Sequence, residues 1–225
     1  MTTLFADGFE SGNTDAWTLE TANNGGTITV QGTTKRVGAY ALKSSSDGTA
    51  LSQAYVERAV SEQGDIYWRI YVMFSALPAV NLDKIGFLSI FNNVNRGILN
   101  LSIYNQAGSV RWRMYYYNGA WIGKSSAVSP VANVWYCVEV YGHIAAVGGS
   151  FTVWVNEGEG ITETGIADLN AHGLCDRISM GIDDMDGSLI AVDVYVDECR
   201  GGDLRVTCRL GDVTVQREIY LYSPL

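Results

Sequence analysis

Two segments of the chain alternate apolar residues with tyrosine and arginine, a pattern typical of strands that bury one face. An ordinary solvated face would instead carry lysine, glutamate, threonine and serine. Aromatic rings offer flat apolar surfaces and guanidinium groups offer several fixed donors, a combination that suits sugar rings. We therefore predict a carbohydrate-binding face on one concave sheet. Its candidate ligand-binding residues are Tyr67, Arg69, Tyr71, Arg111, Arg113, Tyr115, Tyr117 and Trp154.

The same composition also fits a surface that is covered rather than open. Tyrosine and arginine are enriched at protein interfaces, so these side chains are equally suited to packing under long loops or against another subunit. A homo-oligomer or an assembly with other proteins therefore stays open as an alternative to glycan binding.

Carboxylates stand near both ends of the strand-rich region. Asp7 and Glu10 lie in the phrase FADGFESG, and Asp197 lies in the phrase VYVDEC. These groups become neighbours if the first and last strands pair, and oxygen ligands are what Ca²⁺ prefers. The sequence therefore predicts a structural Ca²⁺ site at Asp7, Glu10 and Asp197. The alternative is that the same carboxylates accept hydrogen bonds from turn amides.

No arrangement of catalytic groups stands out. Retaining glycosidases need two carboxylates about 5–5.5 Å apart, whereas Glu57, Glu139 and Asp193 are isolated on their segments. His143 and His172 both lie near predicted turns. The acidic run at 183–187 is interpreted as a polar turn, with a second cation site as its alternative. Enzyme activity is therefore not the favoured expectation.

Composition excludes two classes of partner. The net charge is -9, and binding to nucleic-acid phosphates needs a basic stripe. No run of about 18 apolar residues is present, so no membrane insertion is expected. The first residues also lack the pattern of a secretory signal. We expect a virion or extracellular location reached without a classical signal peptide.

Strand signals separated by turn residues recur along the chain, whereas helix signals are limited to one turn near 165–171. This pattern predicts an all-β fold, an antiparallel jelly-roll β-sandwich over residues 1–202. The predicted strands lie near 27–31, 39–45, 50–59, 65–74, 85–92, 97–105, 109–117, 134–142, 150–156, 177–183 and 190–198.

Residues 203–225 predict a C-terminal β-hairpin extension or the start of a further domain. A lone hairpin is marginally stable in water, so it is expected to pack on another element. Four cysteines are present, and their spacing does not indicate a zinc site. Reduced thiols are the simpler expectation, with a bond between Cys199 and Cys208 left open.

The phrases at 7–12, 134–140, 149–156 and 194–198 together resemble the concanavalin A-like lectin/glucanase superfamily, which includes laminin-G-like sandwiches. The resemblance covers about residues 4–202. It implies a two-sheet sandwich that acts on carbohydrate, and it implies calcium near the termini. The segment after Gly202 resembles hairpins appended to phage tail and other virion proteins.

These observations favour a non-catalytic carbohydrate-binding or adhesion module that uses the tyrosine- and arginine-rich face. A structural virion protein, either capsid decoration or tail assembly, is the first alternative. A polysaccharide lyase or glycoside hydrolase is the second.

Overall fold

The computed structural model describes residues 3–49, 51–92, 94, 96–186 and 190–202. These residues form fifteen strands and no helix, arranged as two antiparallel sheets packed face to face. The predicted all-β sandwich is therefore confirmed, while the predicted hairpin at 203–225 lies outside the described residues. Within the described ranges, no helix is long and apolar enough to cross a membrane.

Sheet A has eight strands, numbered here in chain order. Seven of them follow the spatial order β13-β12-β11-β6-β15-β4-β3, and β1 pairs with β15 at one end. Their bounds are β1 (Thr3–Asp7), β3 (Gly26–Gln31), β4 (Ala41–Asp47), β6 (Asp65–Phe74), β11 (Tyr136–His143), β12 (Gly149–Val155), β13 (Gly158–Ile166) and β15 (Ala191–Gly202).

Sheet B has seven strands in the order β10-β9-β8-β7-β14-β5-β2. All its neighbours are antiparallel. Their bounds are β2 (Leu19–Asn23), β5 (Gln53–Gln63), β7 (Lys84–Phe91), β8 (Gly97–Gln106), β9 (Ser109–Tyr117), β10 (Trp121–Ser125) and β14 (Cys175–Asp186).

Aromatic side chains join the two sheets at the centre of the core. Phe74 of sheet A meets Phe87 of sheet B with ring centroids 5.2 Å apart. Trp112 of sheet B meets Tyr136 of sheet A at the same separation of 5.2 Å. The predicted alternation in β6 and β9 is confirmed, because the apolar set is buried except for the half-buried Val110, and the tyrosine and arginine set lies on the outer faces, where Tyr71 and Met73 are also covered.

The first and last strands lie side by side, as the sequence predicted. Strand β1 pairs antiparallel with β15, and Asp7 stands opposite Cys199. Cys199 is a buried free thiol whose S–H donates to the carbonyl oxygen of Asp7 at 3.0 Å. The bond between Cys199 and Cys208 that the sequence left open is therefore not formed, because the Cys199 thiol is free.

Four strands are absent from the predicted set, namely β1, β2, β10 and β13, and the last three are edge strands. An edge strand packs against one neighbour only, so its side chains need not alternate strictly. In β2 four of the five residues are exposed, so its sequence does not show the alternation of apolar and polar residues that predicts a strand. The predicted helical turn at 165–171 is also wrong, because β13 runs to Ile166 and a turn follows it.

The aromatic contact between the sheets predicts where stability is concentrated. Phe87 is fully buried, so Phe87→Ala should lower the free energy of unfolding by about 3–5 kcal/mol. Val147 is 87% exposed, and Val147→Ala should change it by less than about 0.5 kcal/mol. Urea denaturation measures both values. Equal effects in the two variants would contradict the proposed role of the aromatic contact.

Candidate functional site on the outer face of sheet B

The predicted binding residues lie on two surfaces rather than one. Tyr67, Arg69 and Tyr71 are on β6 and Trp154 is on β12, all in sheet A. The other four, from Arg111 to Tyr117, are on β9 in sheet B. Since the two sheets pack through their inner faces, their outer faces point in opposite directions. The prediction of a single shared face is therefore wrong, although each half of the set does face outward.

A connecting segment covers part of the outer face of sheet A. Residues 32–40, here called the strap, join β3 to β4. The guanidinium carbon of Arg36 lies 3.5 Å from the ring centroid of Tyr71, and Arg36 also forms an ion pair with Glu198. As a result Tyr71 is only 8% exposed. This tyrosine fits the covered alternative better than sugar stacking.

The carboxylates predicted to bind Ca²⁺ all accept N–H hydrogen bonds. Asp197 accepts from the backbone of Arg36 at 2.9 Å, and Glu10 accepts from Ala39 at 2.8 Å, so both hold the strap. Asp7 accepts from the indole Nε1 of Trp17 at 2.7 Å. Within the described residues, no three His, Cys, Asp or Glu side chains are grouped to hold a metal ion. Calcium binding at this place stays a prediction.

The outer face of sheet B carries a cation held between two tyrosine rings. The guanidinium carbon of Arg113 lies 4.6 Å from the ring centroid of Tyr104 and 4.9 Å from that of Tyr115. Its Nη1 donates to Ser125 Oγ at 2.9 Å. Gly123 on β10 makes this possible, because a Cβ there would lie 2.4 Å from Arg113 Nε. The guanidinium group can therefore lie against the sheet beside the two rings.

An aromatic group occupies the far end of β9. Trp121 is 50% exposed, and its ring centroid lies 5.6 Å from that of Tyr117. Trp121 reaches over Gly97, where a Cβ would lie 2.9 Å from the indole. His172 stacks on Tyr117 at 3.7 Å, and its Nδ1 lies 2.8 Å from the Gly97 carbonyl oxygen. These contacts define the aromatic end of the face.

Sequence reasoning missed His172, Trp121 and Tyr104 as members of this site. His172 belongs to the turn region after β13, and only the fold brings that region to β9. Trp121 lies on an unpredicted edge strand. Of the three, only Tyr104 could have been found from the sequence, because it lies in the predicted strand 97–105. The structure places it directly opposite Arg111.

Lys84 adds a second cation beside Tyr115. Its Nζ lies 5.1 Å from the Tyr115 ring centroid and 2.7 Å from an oxygen of Asp184. Desolvation raises the pKa of the Tyr115 phenol, and the charges of Arg113 and Lys84 only partly oppose this. The phenol is therefore protonated at neutral pH and is available as a hydrogen-bond donor.

A buried polar network underlies the centre of the face. The hydroxyl of Ser179 donates to Asp183 at 2.6 Å, and the Nδ2 of Asn100 lies 2.6 Å from Ser89 Oγ and 3.3 Å from Asp183 Oδ1. The hydroxyl of Ser102 donates to Asn100 Oδ1 at 2.5 Å. Asp183 is 7% exposed, and burial raises its pKa to about 7.

The position of Asp183 differs from its predicted place in a polar turn. Strand β14 extends through this residue, and its pairing with β7 shifts register between Met180 and Asp184. Gly86 opposite leaves the necessary space, since a Cβ there would lie 2.7 Å from Asp183 Oδ1. An irregularity in a strand, which alternation cannot predict, thus brings the carboxyl group into the network.

A cleft adjoins the other end of β9. Its volume is about 630 Å³, and Arg111 Nη1 donates to the carbonyl oxygen of Ser126 at 3.1 Å beside it. The cleft is lined by Gln106, Ala107, Ser109, Arg111, Ser125, Ser126 and Ala127. Cations, tyrosines and an exposed tryptophan therefore run in one row from this cleft to the aromatic end.

Comparison with solved structures supports the fold. An endo-β-1,4-glucuronan lyase from the fungus Trichoderma reesei matches with a TM-score of 0.73 and 14% identity, covering 90% of this chain and 96% of that chain. The cellulose induced protein Cip1 matches with a TM-score of 0.67 and 16% identity, covering 91% and 100%. The alginate lyase Aly36B matches with a TM-score of 0.59 and 19% identity, covering 76% and 84%.

These likenesses define the class as a two-sheet β-sandwich of the jelly-roll kind, in agreement with the predicted concanavalin A-like architecture. No protein-family model matches the chain, and no curated protein matches it. Association with a virion, assembly with virion proteins and the extracellular location stay predictions.

The buried carboxyl group predicts an unusual pH dependence. The folded pKa of Asp183, about 7, exceeds the ordinary aspartate value of 3.8, so the folded state binds the proton more tightly. The stabilisation that the protonated Asp183 side chain contributes is complete below the pKa that this group has in the unfolded chain. It is lost as the pH rises through about 7. Lowering the pH from about 8 to about 5 should therefore raise the melting temperature.

Asp183→Asn should show a smaller rise in melting temperature over the same pH interval, because the amide cannot titrate. Asp15 is exposed, and Asp15→Asn should keep the full rise. Burial also raises the pKa of Asp197, to about 6, so part of the rise should persist in Asp183→Asn. An unchanged slope in Asp183→Asn would contradict the role given to this group.

Proposed function

We propose that the protein is a non-catalytic carbohydrate-binding module that holds a polysaccharide along the outer face of sheet B. The observation that carries the proposal is the arrangement of Arg113 between Tyr104 and Tyr115, continued by Tyr117 and Trp121. Flat rings offer apolar surface to sugar rings, and guanidinium N–H groups donate to hydroxyl oxygens. One row supplies both kinds of contact.

The dimensions of the row favour a polymer over a single sugar. Arg111 and Tyr117 are six residues apart on one strand, which corresponds to about 20 Å. Side chains of β8 and β10 widen the row on both sides of β9, because Tyr104 and Trp121 stand opposite Arg111 and Tyr117. A glycan chain following β9 would therefore contact cations and aromatic rings along several sugar residues.

The named neighbours support this choice of ligand class. Two of them are lyases of the carbohydrate polymers glucuronan and alginate, and their sandwiches superpose on most of this chain. A sandwich of this shape thus accommodates polysaccharides elsewhere. The selection of the outer face of sheet B in this chain rests on its own side chains.

The binding face is tested by removing one aromatic ring at a time. Trp121→Ala should weaken polysaccharide binding about 3- to 10-fold because it removes a half-exposed stacking ring. Tyr115→Ala should weaken it by a similar factor because it removes the ring beside which Arg113 and Lys84 are held. Affinity electrophoresis against a polysaccharide panel, followed by calorimetry, measures the change. Tyr67→Ala and Trp154→Ala are matched controls on the outer face of sheet A. Loss of binding in the controls alone would move the site to sheet A.

A polysaccharide lyase is the second candidate, favoured by the surroundings of Tyr115. Lyases that cleave by β-elimination need a base that takes the C5 proton, an acid that protonates the leaving oxygen, and positive charge near the sugar carboxylate, and the groups around Tyr115 supply the last two of these. Tyr115 has a protonated phenol, and Arg113 and Lys84 both lie beside its ring. This geometry would provide a proton donor and two cations in one place.

Tyr115→Phe separates the two candidates because it keeps the ring and removes the phenolic proton. If the protein is a lyase, the wild type should release unsaturated uronate products, detected by ultraviolet absorbance, and Tyr115→Phe should abolish them while retaining binding. If the protein only binds, neither form should release product. Product release by Tyr115→Phe at the wild-type rate would contradict the assigned role of the phenol.

A further inference from the structure

We infer that the cleft at Arg111 binds a terminal uronic acid residue of the glycan, with the sugar carboxylate held by the Arg111 guanidinium group. The inference rests on the proposed polysaccharide binding and names the substrate class as acidic. It also gives the binding face a direction, with the acidic end of the chain at the cleft and the following sugars on the aromatic rings.

The position of the cleft connects it to the row on β9. Arg111 lines the cleft, while Arg113 lies two residues further along the same face, about 7 Å away. The volume of about 630 Å³ is enough for a sugar residue, which would lie in a shallow cleft that is open to solvent. A chain lying on Tyr115 and Arg113 would therefore place one end in a space that holds a sugar residue.

The lining of the cleft is polar and contains no acidic side chain. Gln106 and Ser109 offer an amide and a hydroxyl group, Ser125 Oγ accepts from Arg113, the Ser126 hydroxyl donates to the Val128 carbonyl oxygen, and the alanines leave the space open. Such groups match the hydroxyls of a sugar and would not repel a negative charge. An acidic ligand is thus compatible with the cleft although the chain as a whole has a net charge of -9.

The charge of Arg111 is not balanced by a carboxylate. Other arginines have such partners, as in the pairs of Arg36 with Glu198 and Arg177 with Glu57. Among the residues that the structure describes, Arg111 forms no ion pair and donates to the carbonyl oxygen of Ser126. A guanidinium group has five N–H donors, so most of its capacity remains for a ligand.

The geometry of a single arginine favours a carboxylate over a sulfate or phosphate group. A guanidinium group presents two parallel N–H bonds in a plane, and a carboxylate presents two coplanar acceptors. A dianionic phosphate is usually met by several cations or by a nest of backbone amides. Arg111 is the one charged side chain among the seven residues of the cleft lining.

The experiment compares acidic oligosaccharides with neutral ones of the same length. Oligoglucuronate, oligogalacturonate and alginate oligosaccharides are the probes, each with its carboxyl-reduced counterpart, and calorimetry at low salt gives the affinities. The wild type should bind at least one acidic probe about tenfold or more tightly than its reduced counterpart. Raising the salt concentration should reduce this preference.

Variants then assign the preference to the cleft. Arg111→Gln should lower the affinity ratio of acidic to reduced probe, with Arg113 and Lys84 leaving a smaller residual preference, and Arg111→Lys should lower it less because the charge remains. Trp121→Ala should weaken both probes by the same factor and leave the ratio unchanged. Thermal unfolding of each variant verifies that the fold is intact.

The failures of the two proposals are distinguishable. Equal affinity of the wild type for acidic and reduced probes, or an unchanged ratio in Arg111→Gln, would overturn the inference alone. A preference for sulfated over carboxylated oligosaccharides would also overturn it. Failure to bind either member of every probe pair would contradict both the inference and the proposed function.

Discussion

The packing of the two sheets through one aromatic core constrains everything else in this protein. Phe74, Phe87, Trp112 and Tyr136 occupy the space between the sheets, so the inward positions of the central strands are committed to burial. Ligand chemistry on these strands is left to the outward positions. A strand such as β9 thus serves both purposes, with Trp112 in the core and Arg113 on the surface.

Small local departures from regular structure determine what the outer face of sheet B offers. Gly123 and Gly97 lack side chains where Arg113 and Trp121 lie across the sheet, and Gly86 leaves room for the Asp183 carboxyl group. An alanine at any of these positions would clash with the group above it. The face is therefore shaped by absent side chains as much as by the tyrosines and arginines themselves.

The sequence contains enough information for the fold class and for which face of each strand is buried, because the period of two is clear in β6 and β9. It does not reveal which sheet each strand joins, since pairing depends on contacts between distant segments. For that reason the prediction that Tyr67 and Tyr115 share a face is wrong. The edge strand with Trp121 and the turn with His172 carry no alternation, so that end of the site could not be predicted.

The difference between the two outer faces follows from the carboxylates near the chain ends. Glu10 and Asp197 accept amide hydrogen bonds from the strap, and Glu198 pairs with Arg36, which lies over Tyr71. These bonds fix a covering segment on sheet A. On sheet B the described residues include no such carboxylate for Arg111 or Arg113, and Trp121 remains half exposed. The outer face of sheet A is thus partly covered by a segment that carboxylates hold in place, whereas Arg111 and Arg113 on sheet B have no carboxylate partner among the described residues, and it is there that we place the proposed ligand.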